Sequence, residues 1–129
     1  MNKPIIFSLI ESPSHPKLSP IFVKKGYDEQ QFFSVRKIIN ALKKQKPDVV
    51  IAQFHYLYVS DYASNHISNL DSVIATLQKY SDYQPKFIFL VSKKEKQFIE
   101  RLTNHYLGFA SSIEIVILPN VFKQVEEIL

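Results

Sequence analysis

The feature that most constrains this chain is a regular alternation of short apolar runs with amphipathic stretches. The apolar runs that are long enough to form strands are Ile5–Ile10, Val49–Ala52, Phe87–Val91 and Ile113–Leu118. The first three are apolar at neighbouring positions, which is typical of strands buried on both faces of a parallel sheet. The sequence therefore predicts an α/β domain whose parallel sheet is covered by helices.

Between these runs, apolar residues recur at spacings of three and four, which places them on one face of a helix. Asp28 and Gln31 form the pattern of a capping box, so we expect a helix to begin there and to end at Pro47. Its core-facing stripe is Phe32, Val35, Ile38, Ile39 and Leu42. Before this helix, Ile21–Val23 predicts a short strand at an edge of the sheet.

Three further helices are predicted towards the C-terminus. The first covers about 71–80. The second begins at a capping box formed by Ser92 and Glu95, and Gly108 is expected to end it in a left-handed conformation. The last is short, and Asn120 is expected to cap it.

Five strands and four helices joined by right-handed crossovers fit one economical arrangement. It is a flavodoxin-like three-layer α/β fold, with a five-stranded parallel sheet in the order 2-1-3-4-5. The length of 129 residues is that of a single domain, so we expect one domain over 1–129. The segment Glu11–Pro20 contains three prolines and is too short for a full helix, so the first crossover helix should be reduced or absent.

Composition excludes several classes of function. The absence of cysteine rules out disulfides, thiolate metal sites and cysteine nucleophiles. Two glycines, Gly26 and Gly108, are too few for a glycine-rich phosphate loop. No apolar stretch has the length of a signal peptide or a membrane span, so we expect a cytoplasmic protein. The four histidines lack metal-ligand spacing, and neither a metal nor another cofactor is expected.

The net charge of +4 is a mild indication of anionic partners. Basic residues are concentrated in two segments, Arg36–Lys46 and Lys93–Lys96. Solvated helix faces explain this pattern better than a nucleic-acid site, which remains an alternative.

Three motifs resemble those of response-regulator receiver domains, the CheY-like family. Lys46–Ala52 is similar to the approach to the third strand of that family, which ends at the phosphoacceptor aspartate. Phe87–Ser92 resembles the fourth strand, which ends in a serine or threonine, and Leu118–Phe122 resembles the lysine-proline-phenylalanine region after the fifth. The resemblance implies a receiver-like fold and a role in signalling.

The departures from the receiver pattern concern its chemical residues. Gln53 stands at the phosphoacceptor position, and an amide cannot form an acyl phosphate. The acidic pair of the family maps to Leu9 and Ile10, which leaves only Glu11 nearby for magnesium. The family's lysine maps to Leu118. The resemblance therefore implies a degenerate receiver, a pseudo-receiver with no phosphotransfer mechanism and no enzymatic activity.

Several polar residues should converge at the carboxyl ends of the strands, where open α/β sheets bind ligands. They are Glu11, Gln53, His55, Ser92 and Lys93. A small anion held by the N-terminus of the helix after Ser92, with Lys93 or Lys94 nearby, is one use of this edge. The alternative is a vestigial pocket filled by side chains such as Phe54.

The loop after the third strand is unusually aromatic, with Tyr56, Tyr58 and Tyr62 beside His55. Tyrosine is enriched in protein interfaces, although a loop that folds back and buries its own rings explains the pattern equally well. The sequence favours a non-catalytic interaction or regulatory module with a protein partner, which includes a second copy of this chain. Nucleic-acid binding and small-anion binding are the alternatives.

Overall fold

The computed structural model describes residues 3–56, 68–80 and 83–129. A five-stranded parallel sheet runs through its centre in the order β2-β1-β3-β4-β5. The strands are β1 (Ile5–Leu9), β2 (Asp28–Phe32), β3 (Val49–Gln53), β4 (Lys86–Val91) and β5 (Ile113–Ile117). The helices are α1 (Ser19–Lys24), α2 (Val35–Leu42), α3 (Asp71–Leu77), α4 (Lys96–His105) and α5 (Phe122–Ile128), with a 3-10 turn at Leu107–Ser112. The predicted fold class and strand order are confirmed.

Two apolar clusters fill the layers on either side of the sheet. The larger joins the sheet to α2, α3 and α4, and the smaller joins it to α1 and α5. Along β3, Val50 and Ala52 belong to the larger cluster, whereas Val49 and Ile51 belong to the smaller one. Because both faces of β3 are buried, its side chains are apolar at every position before Gln53.

The prediction of a strand at Ile21–Val23 is wrong, because these residues lie in α1. Pro20 occupies the first turn of this helix, where the missing backbone donor costs nothing. Ile21 and Phe22 are buried whereas Val23 is exposed, so the apolar run covers only part of the helix surface. With six residues, α1 confirms the expected reduced crossover helix.

The predicted helix start at Asp28 is also wrong, because Asp28 begins β2. This strand is at the edge of the sheet and pairs only with β1, so polar side chains are tolerated along it. The following helix begins at Val35, where the Ser34 side chain accepts a hydrogen bond from the Lys37 backbone amide at 3.2 Å. It ends at Leu42, before the predicted end at Pro47.

Two predicted helix caps are wrong. Gly108 lies in the 3-10 turn, and the described residues contain a positive φ only at Gly26, just after α1. Asn120 does not cap α5 with its side chain; instead, its backbone carbonyl accepts a hydrogen bond from the Gln124 side chain at 2.9 Å. Within the three described ranges, no helix is long and apolar enough to cross a membrane.

The structure predicts a sharp contrast between two aliphatic truncations. Ile51→Ala removes a side chain that is 0% exposed at the centre of the sheet. We expect it to lower the free energy of unfolding by about 2–5 kcal/mol. Val23→Ala removes a side chain that is 76% exposed, and it should change that free energy by less than about 0.5 kcal/mol. Urea denaturation measures both, and equal losses would contradict this assignment of the core.

Candidate functional site at the carboxyl edge of the sheet

Parallel strands bring their carboxyl ends to one edge, which holds most of the predicted site residues. Glu11 follows β1, Gln53 ends β3 and Ser92 follows β4. The structure links these residues with His55 and Tyr56 through two side chains that the sequence analysis did not place in the site, Asn69 and Glu95. We call the whole group the carboxyl-edge network.

Asn69 joins the first half of this network. Its Nδ2 donates to Glu11 Oε1 at 2.6 Å and to the Gln53 carbonyl oxygen at 3.0 Å. Its Oδ1 accepts from the His55 backbone amide at 2.8 Å. A backbone N–H can only donate, so the orientation of the Asn69 amide is fixed by its partners. The loops after β1 and β3 are therefore held together by one side chain.

A buried carboxylate fixes the chain next to Asn69. Asp71 accepts hydrogen bonds from the Ser68 amide at 2.6 Å and from the Ser68 hydroxyl at 3.1 Å. The hydroxyl of Tyr106, at the C-terminal end of α4, donates a further hydrogen bond to Asp71 at 3.2 Å. Burial, together with the charge of Asp71, raises the pKa of Tyr106 to about 12, so its phenol remains a donor. The start of α3 is thus anchored to the C-terminal end of α4.

Glu95 joins the second half of the network. Its Oε2 accepts from the Tyr56 amide at 2.7 Å, and its Oε1 accepts from the Ser92 hydroxyl at 3.2 Å. The Ser92 hydroxyl in turn accepts from the Glu95 amide, so these two residues interact as the predicted capping pair, although α4 begins only at Lys96. Lys93 and Lys94 are exposed beside them. Since an anion bound here would meet the Glu95 carboxylate, this arrangement disfavours the small-anion alternative.

Tyr56 packs onto its own domain. Its ring stacks on Phe98 of α4, with 3.9 Å between ring centroids and an interplanar angle of 9°. Its hydroxyl accepts a hydrogen bond from Arg101 Nη1 at 2.8 Å. The half-buried ring of Tyr56 agrees with the alternative prediction, in which the loop after β3 folds back and buries its own aromatic side chains. The other predicted tyrosines, Tyr58 and Tyr62, lie outside the described residues.

Gln53, which the sequence resemblance places at the phosphoacceptor position, is a half-exposed amide. The Gln53 side chain lies 3.4–3.5 Å from the Ser14 hydroxyl, in the loop after β1. Leu9 is buried in the core, and Phe54 is fully buried behind the edge. In the residues that the structure describes, no group of three or more histidine, aspartate or glutamate side chains could hold a metal ion.

His15, which no spacing in the sequence marked, lies in the proline-rich loop after β1. It is only 8% exposed, and its Nδ1 is buried with no hydrogen-bond partner among the residues that the structure describes. Burial lowers the pKa of His15 and the charge of nearby His55 lowers it further, whereas Glu29 opposes this shift. The imidazole is therefore neutral at pH 7.

No protein-family model matches this sequence, and no curated protein sequence matches it. Among solved structures, the receiver domain of the Francisella response regulator 1452 superposes with a TM-score of 0.60 at 14% identity, covering 96% of this chain and 91% of that one. The chemotaxis response regulator CheY4 of Vibrio cholerae also gives a TM-score of 0.60 at 14% identity, covering 99% and 100%. The beryllofluoride-activated NtrC receiver domain gives 0.53 at 12%, covering 97% and 90%.

The chain has the fold of a receiver domain. The similarity extends over nearly the whole chain, and it agrees with the strand order. At these low sequence identities, the comparison shows the fold alone. The chemistry of the chain has to be argued from its own residues.

The carboxyl-edge network predicts a measurable role for Asn69. Asn69→Ala removes the hydrogen bonds to Glu11, Gln53 and His55. We expect the free energy of unfolding, measured by urea denaturation, to fall by about 1–3 kcal/mol.

Asn69→Asp is the matched variant. It keeps an acceptor for the His55 amide but places a second carboxylate beside Glu11. It should therefore be less stable than the wild type at neutral pH, because the two like charges repel each other. If both variants keep the wild-type midpoint, the network does not hold the loops.

Proposed function

We propose that this chain is a non-catalytic, receiver-like regulatory module of the cytoplasm that binds a protein partner at the carboxyl edge of its sheet, without aspartyl phosphorylation. The observation that carries the proposal is an aromatic side chain of this edge, Phe33, that is exposed to solvent. The amide of Gln53, at the position that the sequence resemblance matches to the phosphoacceptor, supports the absence of phosphorylation.

The absence of phosphotransfer follows from the groups that the edge offers. The amide of Gln53 cannot form an acyl phosphate. Glu11 is the one carboxylate directly after β1, and it is hydrogen-bonded to Asn69. Magnesium takes six oxygen ligands in a strict octahedron and is held by carboxylates and phosphate oxygens, so one engaged carboxylate is a poor site.

The proposed contact surface is centred on Phe33, which is 60% exposed. It borders a shallow depression of about 300 Å³ whose other wall is the segment 10–13. Aromatic side chains are enriched in protein interfaces because they bury a large area at a low cost in entropy. A shallow depression beside an exposed ring fits an apolar side chain of a partner protein.

Hydrogen bonds hold the backbone on both sides of Phe33. On one side, the Phe32 carbonyl accepts a hydrogen bond from the Ile10 amide at 2.8 Å. On the other side, Ser34 caps α2. A ring presented between two fixed elements loses little conformational freedom on binding, which favours recognition of a defined partner.

Nucleic-acid binding receives less support from the placement of the basic residues. The Lys46 ammonium lies 4.1 Å from the centroid of the Tyr80 ring and 5.8 Å from that of Tyr83. These cation–π contacts engage one of the clustered lysines within the domain. Nucleic-acid binding is therefore treated as an outcome of the test.

The test compares Phe33→Ala with Leu107→Ala in affinity capture of the tagged chain from its own cells at moderate salt. Leu107 is a matched control because it is 71% exposed and lies at the opposite edge of the sheet, just before β5. We expect the wild type and Leu107→Ala to retain a protein in fixed proportion, and Phe33→Ala to retain about tenfold less, as for a residue at the centre of an interface.

Both variants remove exposed side chains, so neither should change the free energy of unfolding by more than about 0.5 kcal/mol. A partner that binds Phe33→Ala as well as the wild type contradicts the proposed surface. Nucleic acid that is released as salt is raised supports the alternative function. If the retained protein is an untagged copy of this chain, the partner is the chain itself and the complex is a homodimer.

A further inference from the structure

A second cavity lies beneath the first turn of α1, next to the edge strand β2. Its volume is about 480 Å³, which is within the range of small-molecule sites. Its walls are mostly apolar, and they include Ile10 and three prolines, Pro13, Pro16 and Pro20. The polar side chains among its lining residues are Ser12, His15, Lys17, Ser19, Glu29 and Gln31. We call it the α1 cavity.

The polar centre of the α1 cavity is the half-buried carboxylate of Glu29. Its Oε1 accepts from the Ser19 hydroxyl at 2.6 Å, and its Oε2 accepts from the Ser8 hydroxyl at 2.7 Å and from Gln31 Nε2 at 3.5 Å. All three donors are neutral. A carboxylate has about four acceptor sites, so three hydrogen bonds leave room for one more donor.

The charge of this carboxylate is not balanced nearby. Over the described parts of the chain, the salt bridge found is that of Lys24 with Glu126, and Glu29 has none. His15 lies against the cavity as a neutral imidazole, because burial lowers its pKa. Lys17 is exposed at the rim. A carboxylate removed from water in a mostly apolar wall is stabilised by a cationic partner.

From this geometry we infer that the α1 cavity is a binding site for a small organic cation with a compact apolar body. The ammonium group of such a ligand donates to Glu29, while its apolar part lies against Ile10 and the proline walls. A bare metal ion fits less well, because Glu29 is the single carboxylate among the lining residues and hard cations require several oxygen ligands.

A matched pair of probes tests this inference. The first is 2-phenylethylammonium, and the second, 2-phenylethanol, has a similar shape without the charge. Each is titrated into the full chain while amide chemical shifts are followed by NMR. We expect saturable shifts in segments 12–20 and 29–31 with the ammonium probe, and about tenfold weaker binding of the alcohol, because the alcohol has no positive charge to pair with the Glu29 carboxylate.

Two variants should change the affinity for the ammonium probe differently. Glu29→Gln should weaken binding of the ammonium probe about tenfold and weaken binding of the alcohol much less, because an amide oxygen still accepts a hydrogen bond from the hydroxyl. Lys17→Ala alters an exposed rim residue, so the fold is preserved even if Glu29→Gln destabilises it. This variant should bind the ammonium probe as well as the wild type or better, because a like charge has been removed.

Three results overturn the inference: equal binding of the two probes, no saturable shift with either, or weaker binding of the ammonium probe to Lys17→Ala. The α1 cavity lies on the side of the sheet covered by α1, and none of these measurements depends on Phe33 or on the proposed partner. The experiments can therefore contradict the inference about the α1 cavity without contradicting the proposed function, and the reverse.

Discussion

The structure depends on a parallel sheet whose central strands are buried on both faces. Val50 and Ile51 of β3 point into different apolar clusters, so the strand is enclosed by helices on each side. This burial supplies the main driving force for folding and forces the polar connections to the two ends of the strands. The carboxyl end of such a sheet collects loops from several strands, and it is there that the chain places its hydrogen-bonding side chains.

At this edge of the receiver-like fold, polar side chains form hydrogen bonds with one another. Gln53 meets a serine hydroxyl, and Asn69 binds the Glu11 carboxylate, while it also holds the loop after β3. Glu95 likewise holds the backbone at Tyr56 next to the start of α4. Internal hydrogen bonds therefore hold the loops of this edge in place.

The sequence predicted the features that depend on strong apolar patterns and missed those that depend on polar partners. The strand Val49–Ala52 was found because a doubly buried strand has no polar positions. The edge strand β2 was missed because, pairing on one side only, it can be polar, and its Asp28 imitates a helix cap. Asn69 and Glu29 were missed because no local pattern records their partners, which lie 14 to 58 positions away for Asn69 and, for the two serines that bind Glu29, 10 and 21 positions away.

The central claim is that a receiver fold is present here without receiver phosphorylation, and the mass of the intact chain tests it most directly. The chain is incubated with acetyl phosphate and Mg²⁺, beside a receiver domain that carries the aspartate as a positive control. The account predicts that the control gains a phosphoryl group while this chain keeps its mass. A phosphoryl adduct on this chain that is removed by hydroxylamine, as an acyl phosphate is, would contradict the account.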